Sequence, residues 1–277
     1  MPVSPSDTTQ HRSEQPGAFT GRVAVVTGGG SGIGQAIALH YARQGGQVVV
    51  VGRTPDKLQR TVERAAESGA PAIETATADV RDAEAVASVI DDVARRHGRI
   101  DALVNNAAGN FVVPAERLSV NGWRAVVDIV LNGTFYATRA VAPHMLAAGS
   151  GSIVNVIATY AWHGHPGTVH SAAAKGGVLA MTRTLAAEWA DRGIRVNCVA
   201  PGPTETEGAS AALWATPADR ARVLGSVPAG RFTTPDEVAE ATMFLLEDRS
   251  RYVTGDTLVI DGGQWLGRPV YGDKGGD

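Results

Sequence analysis

Thr27-Gly28-Gly29-Gly30-Ser31-Gly32-Ile33-Gly34 joins a short β-branched run, Val23–Thr27, to a segment of helical period at residues 32–44. Glycines let the backbone turn tightly here and approach a pyrophosphate, whose charge then meets the partly positive helix N-terminus. A glycine-rich stretch alone is equally a plain turn. Its place after a strand and before an amphipathic helix gives it a dinucleotide-binding meaning, with Gly28, Gly30, Ser31, Gly32 and Ile33 nearest the phosphates.

Outward from that turn the same alternation repeats. Residues 47–51, 72–78, 100–104, 152–157, 195–199 and 257–260 are short and β-branched-rich, as strands buried on both faces should be. Helical period runs through residues 55–68, 82–97, 120–148, 169–191 and 235–247. Pro55 and Pro235 fall where a first helical turn tolerates them, because that N–H has no intrahelical partner. Seven strands with helical crossovers predict an α/β, Rossmann-type doubly wound fold with a mostly parallel sheet in a single domain, residues 19–266. Residues 1–18 and 267–277 read as tails, the first a disordered one rich in Ser, Thr, Pro and Gln without the apolar core of a secretory signal. Ligands in such sheets sit beyond the carboxyl ends of the strands.

Composition removes other classes. A net charge of −3 gives no electrostatic case for nucleic acid or an anionic membrane surface. No run approaches the roughly 18 apolar residues of a membrane span. Cys198 is the only cysteine, so neither an internal disulfide nor a cysteine-built metal site can form, which suits a cytoplasmic protein. His40, His97, His144 and His170 lack metal-ligand spacing, and no metal site is expected.

The second strand ends Val51-Gly52-Arg53. An NAD-preferring site usually places a carboxylate here for the ribose 2′-hydroxyl. Gly52 has none, and Arg53 offers a guanidinium suited to a 2′-phosphate, so the residues favour NADP(H). A solvated arginine is the other reading.

Thr27-Gly-x-x-x-Gly-Ile-Gly34, Asn105-Asn-Ala-Ala-Gly109 and Pro201-Gly202 together resemble the short-chain dehydrogenase/reductase family over nearly the whole chain, residues 20–265. The resemblance implies that Asp79 and Val80 border the adenine and that Asn106 and Ala107 pass beside the adenosine ribose. It puts Pro201, Gly202 and Thr206 around the nicotinamide. Read alone, Asp79 is equally a cap for the next helix.

Most members of that family reduce ketones with a Tyr-x-x-x-Lys pair, a serine thirteen residues before the tyrosine, and an asparagine in the preceding long helix. Here Ser171-Ala-Ala-Ala-Lys175 keeps only the lysine; Ala158 and Val130 stand at the other two positions. A serine hydroxyl is far less acidic than a phenol with its pKa near 10, so plain carbonyl reduction is disfavoured. A displaced tyrosine, Tyr160, follows strand five, and Asn110 follows strand four at the same end of the sheet. Ser171 and Lys175 share one helix face at i, i+4 spacing.

This set is similar to the flavin-independent 2,4-dienoyl-CoA reductases of the family, through Asn105–Phe111, Asp128-Ile-Val-Leu-Asn-Gly-Thr134, Thr159-Tyr-Ala161, Ser171–Lys175, Ala187-Glu-Trp189 and Pro201-Gly-Pro203. The resemblance implies catalytic positions for Tyr160, Asn110, Ser171 and Lys175, a structural role for Asn132, an acyl-CoA or related thioester substrate, and a homotetramer packed through residues 120–148 and 169–191. Hydride added at the δ carbon of a dienoyl thioester sends charge to the thioester oxygen, where Tyr160 and Asn110 can donate. Lys175 would hold the nicotinamide ribose, and protonation at the α carbon would give the 3-enoyl thioester. Taken singly, Tyr160 is packing, Ser171 a small helix residue, and Asn110 a turn cap. Trp162, His163 and His165 lie beside Tyr160 in the chain, with surface positions the default for the histidines. Two rivals stay open: a reductase of another activated alkene or carbonyl, for example carrier-bound, and a non-catalytic NADP(H)-binding regulator.

Overall fold

In the computed structural model, which describes residues 17–267, seven strands form one sheet in the order β3-β2-β1-β4-β5-β6-β7, every neighbouring pair parallel. The expected tails lie outside the described residues, apart from Gly17, Ala18 and Gly267. The strands are β1 (Val23–Thr27), β2 (Gln47–Gly52), β3 (Ile73–Thr77), β4 (Ala102–Asn105), β5 (Gly151–Val156), β6 (Ile194–Pro201) and β7 (Thr257–Ile260). Valine repeats make β1 and most of β2 fully buried, as parallel strands covered on both faces require. The edge strand β3 departs from that expectation. It buries Ile73 but exposes Thr75 and Thr77 farther along the same face, at the edge of the sheet.

Alternate residues of each strand feed two layers. Ala24 and Val26 pack with α1 (Gly32–Arg43), α2 (Pro55–Glu67) and α10 (Pro235–Leu246). Val23 and Val25 face α3 (Ala83–His97) and α5 (Gly133–Ala148), while Val126, Val178 and Leu179 join α4 (Val120–Val127) and α7 (Val169–Trp189) beneath β6. Local signals set the helix ends. Asp82 Oδ1 accepts from Glu84 N and Ala85 N at 3.1 and 3.0 Å, and Gly98 stops α3 in the left-handed region at φ 73°.

The single helix expected over 120–148 is interrupted. Asp128–Asn132 forms a π-helical turn between α4 and α5, held by Asn132 Nδ2 donating to Asp128 Oδ1 at 2.8 Å. Gly133 follows where a Cβ would come within 2.9 Å of Val80 Cγ2, so the helix presses against the end of the β3–α3 connection. Three short helices escape the periodicity altogether: α6 (Tyr160–His163), α8 (Glu207–Leu213) and α9 (Pro217–Gly225).

A polar row crosses the apolar sheet at one level, with Asn105, Asn155 and Cys198 paired in register on β4, β5 and β6. Asn105 Nδ2 donates to Asn155 Oδ1 at 2.9 Å and to Thr138 Oγ1 at 3.0 Å. Asn155 Nδ2 and Cys198 Sγ both donate to Thr182 Oγ1, at 2.8 and 3.2 Å. The crossover from β3 to β4 returns past β1 and β2, so the strand order reverses between β1 and β4. The glycine turn and the loop after β4 meet at that switch point. No helix among the described residues is long and apolar enough to cross a membrane.

Candidate active site

The glycine turn leaves β1 with Gly28 N donating to Val51 O at 2.8 Å, and takes left-handed geometry at Gly28 (φ 67°) and Gly32 (φ 54°). A Cβ on Gly34 would lie 2.4 Å from both Asn106 Nδ2 and Gly28 O, so only hydrogen fits. Asn106 Nδ2 donates to Thr27 O and Gly28 O at 3.1 and 3.2 Å, and Thr27 Oγ1 accepts from Asn106 N and Ala107 N, each at 3.1 Å. The Asn106 side chain therefore braces the turn, a use its sequence position alone does not disclose. From the other side Thr61 Oγ1 donates to Gly29 O at 2.8 Å.

The N-terminus of α1 fits an anionic group. Ser31 caps no amide with its side chain and the first turn carries no acidic residue, whereas Asp82, Ser119, Thr216 and Thr234 cap their helices. Thr206, N-cap of α8, stands over the turn: a Cβ on Gly32 would meet its Cγ2 at 3.1 Å. Pro201 is buried, and Gly202 passes so close to Asp261 that a Cβ would lie 2.7 Å from its Cα. Arg53 reaches beyond the end of β2 beside Asp79, its side chain 58% exposed. Val80 is buried against Gly133.

Three of the four expected catalytic side chains converge. Tyr160 Oη lies 3.1 Å from Ser171 Oγ and accepts from Asn110 Nδ2 at 3.4 Å. Asn110 Oδ1 accepts from Phe111 N at 2.9 Å, which fixes the amide with its Nδ2 toward the tyrosine. Burial raises the Tyr160 pKa above its ordinary value, against smaller opposing effects of the Ser171 and Asn110 hydrogen bonds, so the phenol stays protonated. Lys175 is buried one turn along α7 from Ser171, and its Nζ donates to Val156 O rather than to Tyr160 or Ser171. Desolvation lowers its pKa to about 8.

Ala158 and Val130, at the usual serine and asparagine positions, are both buried and apolar. Among the expected neighbours of Tyr160, Trp162 packs into the cluster beneath β6 and meets Trp265 edge-on, at 5.7 Å between centroids. His163 Nε2 lies 3.3 Å from Thr159 Oγ1, while His165 is exposed. His40, His97 and His144 contact Asp236, Glu74 and Asp91 at 2.8, 3.1 and 2.9 Å. His170 is fully buried against the Phe111 ring, with neither ring nitrogen hydrogen-bonded, and burial lowers its pKa.

The family model described as "Enoyl-(Acyl carrier protein) reductase" matches residues 28–264. A Bacillus subtilis protein named "Probable 2,4-dienoyl-CoA reductase [(2E)-enoyl-CoA-producing]" is 46% identical over 247 residues, covering 88% of this chain and 97% of that protein. The crystal structure of a short chain dehydrogenase from Bacillus anthracis is 44% identical, with a TM-score of 0.79 over 91% of this chain and 99% of that one. A gluconate 5-dehydrogenase from Burkholderia cenocepacia, in complex with NADP and tartrate, is 36% identical, with a TM-score of 0.83 over 89% and 96% of the two chains. On these matches the chain belongs to the short-chain dehydrogenase/reductase family of oxidoreductases.

Proposed function

We propose that this enzyme reduces a conjugated 2,4-dienoyl acyl-CoA thioester with NADPH. One observation carries the reading: Tyr160, Ser171 and Asn110 meet at one point, while Ala158 and Val130 leave the ordinary ketone-reducing positions apolar. When bound, the nicotinamide would supply a hydride for the δ carbon of the dienoyl group. Charge then gathers on the thioester oxygen, and this chain's donors answer it.

With Ser171 O–H as the donor to Tyr160 Oη, the phenol proton is free for that oxygen. Asn110 has two amide hydrogens, one for Tyr160 and one for the same oxygen. Preorganised donors of this kind hold developing charge without reorganising. Lys175 lends a positive charge from the buried wall and would hold a ribose hydroxyl of the cofactor. The glycine turn and the uncapped α1 N-terminus hold the pyrophosphate, and Arg53 reads the ribose 2′-phosphate. Protonation of the dienolate at the α carbon gives the 3-enoyl thioester; protonation at γ gives the 2-enoyl product in the name of the Bacillus subtilis relative. A homotetramer belongs to the same reading, supported by Val120, Trp123, Phe135 and Val169 exposed on α4, α5 and α7.

The test is NADPH oxidation against a dienoyl-CoA, an enoyl-CoA, a 3-ketoacyl-CoA and simple ketones, with the product double bond located by NMR. Turnover concentrated on the dienoyl substrate supports the proposal. Efficient ketone reduction by the unmodified protein overturns it, and no turnover of any of them favours the non-catalytic regulator.

A further inference from the structure

Parallel pairing of Gly52 with Thr77 delivers Arg53 and Asp79 side by side beyond the ends of β2 and β3. Two opposite charges placed so should join, yet Arg53 Nη1 stops 3.9 Å from Asp79 Oδ2, outside hydrogen-bond range. The carboxylate is already taken. Arg81 Nε donates to both oxygens at 3.0 Å, Arg81 Nη2 to Oδ2 at 2.5 Å, and Arg81 N to Oδ1 at 3.0 Å. These contacts, the Arg81 side-chain bond foremost, hold the Asp79 carboxyl below its usual range. The Arg81 fork thus saturates the nearest anion to Arg53, whose own side chain remains 58% exposed.

We propose that Arg81 is a positioning residue for cofactor choice: by occupying the Asp79 carboxylate it keeps the Arg53 guanidinium free for a ribose 2′-phosphate. The inference rests on the NADP(H) reading above. Without Arg81, the nearby Arg53 turns onto Asp79. The 2′-phosphate then loses its fork and faces a carboxylate whose partner has been withdrawn from the phosphate. NADH, lacking that phosphate, is indifferent to the exchange. Asp79 borders the adenine common to both cofactors, so the ratio of the two affinities is the quantity that isolates the effect.

The experiment titrates NADPH and NADH, by cofactor fluorescence and by thermal shift, into the full chain and three variants. The unmodified protein should prefer NADPH. Arg53→Ala should weaken NADPH about 10- to 150-fold with little change for NADH, the loss of one charge-assisted contact. Arg81→Leu should lower the NADPH-to-NADH affinity ratio about tenfold, the same contact redirected. Arg81→Leu with Asp79→Asn should return that ratio to within roughly threefold of the unmodified value, since no carboxylate remains to capture Arg53. A double variant as unselective as Arg81→Leu means that Arg81 touches the phosphate itself, and overturns the inference. Equal losses for both cofactors in Arg81→Leu reduce Arg81 to a structural part and overturn it too. An unmodified protein without NADPH preference removes the cofactor reading together with the inference, whereas an intact preference in Arg81→Leu removes the inference alone.

Discussion

Replacing Tyr160 by Phe keeps the ring and its packing and deletes one hydroxyl with two neighbours, Ser171 Oγ at 3.1 Å and Asn110 Nδ2 at 3.4 Å. Two separate consequences follow. Loss of a preorganised donor from an oxyanion site costs about 10²–10³ in turnover. Ser171, only 1% exposed, also loses the hydrogen-bond partner of its hydroxyl. Leaving such a group unsatisfied costs about 1 kcal/mol at the low end, which in a domain of this size lowers Tm by about 2–4 °C. The two are read independently, by steady-state NADPH oxidation with a dienoyl-CoA and by thermal melting. NADPH affinity should hold, because neither the glycine turn nor Lys175 hydrogen-bonds to the phenol. Asn110→Ala should give a comparable kinetic defect, and the double variant should lose less than the product of the two, since both donors serve one oxygen. Near-normal turnover in Tyr160→Phe, with the small drop in Tm present, would return Tyr160 to packing and refute the reasoning.

Lys175 sets a pH limit: with its pKa lowered to about 8, kcat/KM should fall as pH rises through that value and the ammonium is lost. Stability should move the other way. The unfolded chain binds more protons between about 8 and the ordinary lysine value of 10.5, so this residue's penalty shrinks as pH rises across that window, and Lys175→Met should abolish both trends. Gly34→Ala places a methyl group 2.4 Å from Asn106 Nδ2 and Gly28 O, so NADPH binding by fluorescence should be lost along with several degrees of Tm. Ser171→Tyr should not yield a good ketone reductase, because Ala158 and Val130 supply no polar partners; brisk 3-ketoacyl-CoA reduction by that variant would contradict the site assignment.

What could be read from residues alone follows the range of the forces involved. The strands were legible because runs such as Val48-Val49-Val50-Val51 carry their burial in composition, and the glycine turn because Gly28 and Gly34 answer to local geometry. The meeting of Asn110, Tyr160 and Ser171 was legible only through family resemblance, since β4 and β5 bring distant segments together. The π turn at Asp128–Asn132 was not, because it accompanies a close approach of Gly133 to Val80 that no helical period encodes. α6 is a single turn, too short to show a period, and Arg81 belongs to no motif, its pairing with Asp79 being evident only in the fold. His170 was weighed only for metal-ligand spacing, and its complete burial against Phe111 depends on the segment after β4 meeting the start of α7.

Consecutive valines buried on both faces penalise a slip of one residue only weakly, because each face stays apolar whichever side chains fill it. They are blind to a slip of two, which restores each face and costs only end contacts. The asparagine row is not blind to it. Moving β5 by two residues against β4 would set Asn105 opposite Ile153 or a residue beyond the strand, and would leave the Asn155 amide oxygen in the core without its Asn105 donor. A buried amide without a partner costs about as much as a lost core contact, so the misaligned sheet is penalised where the hydrophobic pattern is indifferent. Asn105, Asn155 and Cys198 thereby act as a key cut into an otherwise uniform lock, and the alignment they enforce is the one that carries Asn110 and Tyr160 to the same point.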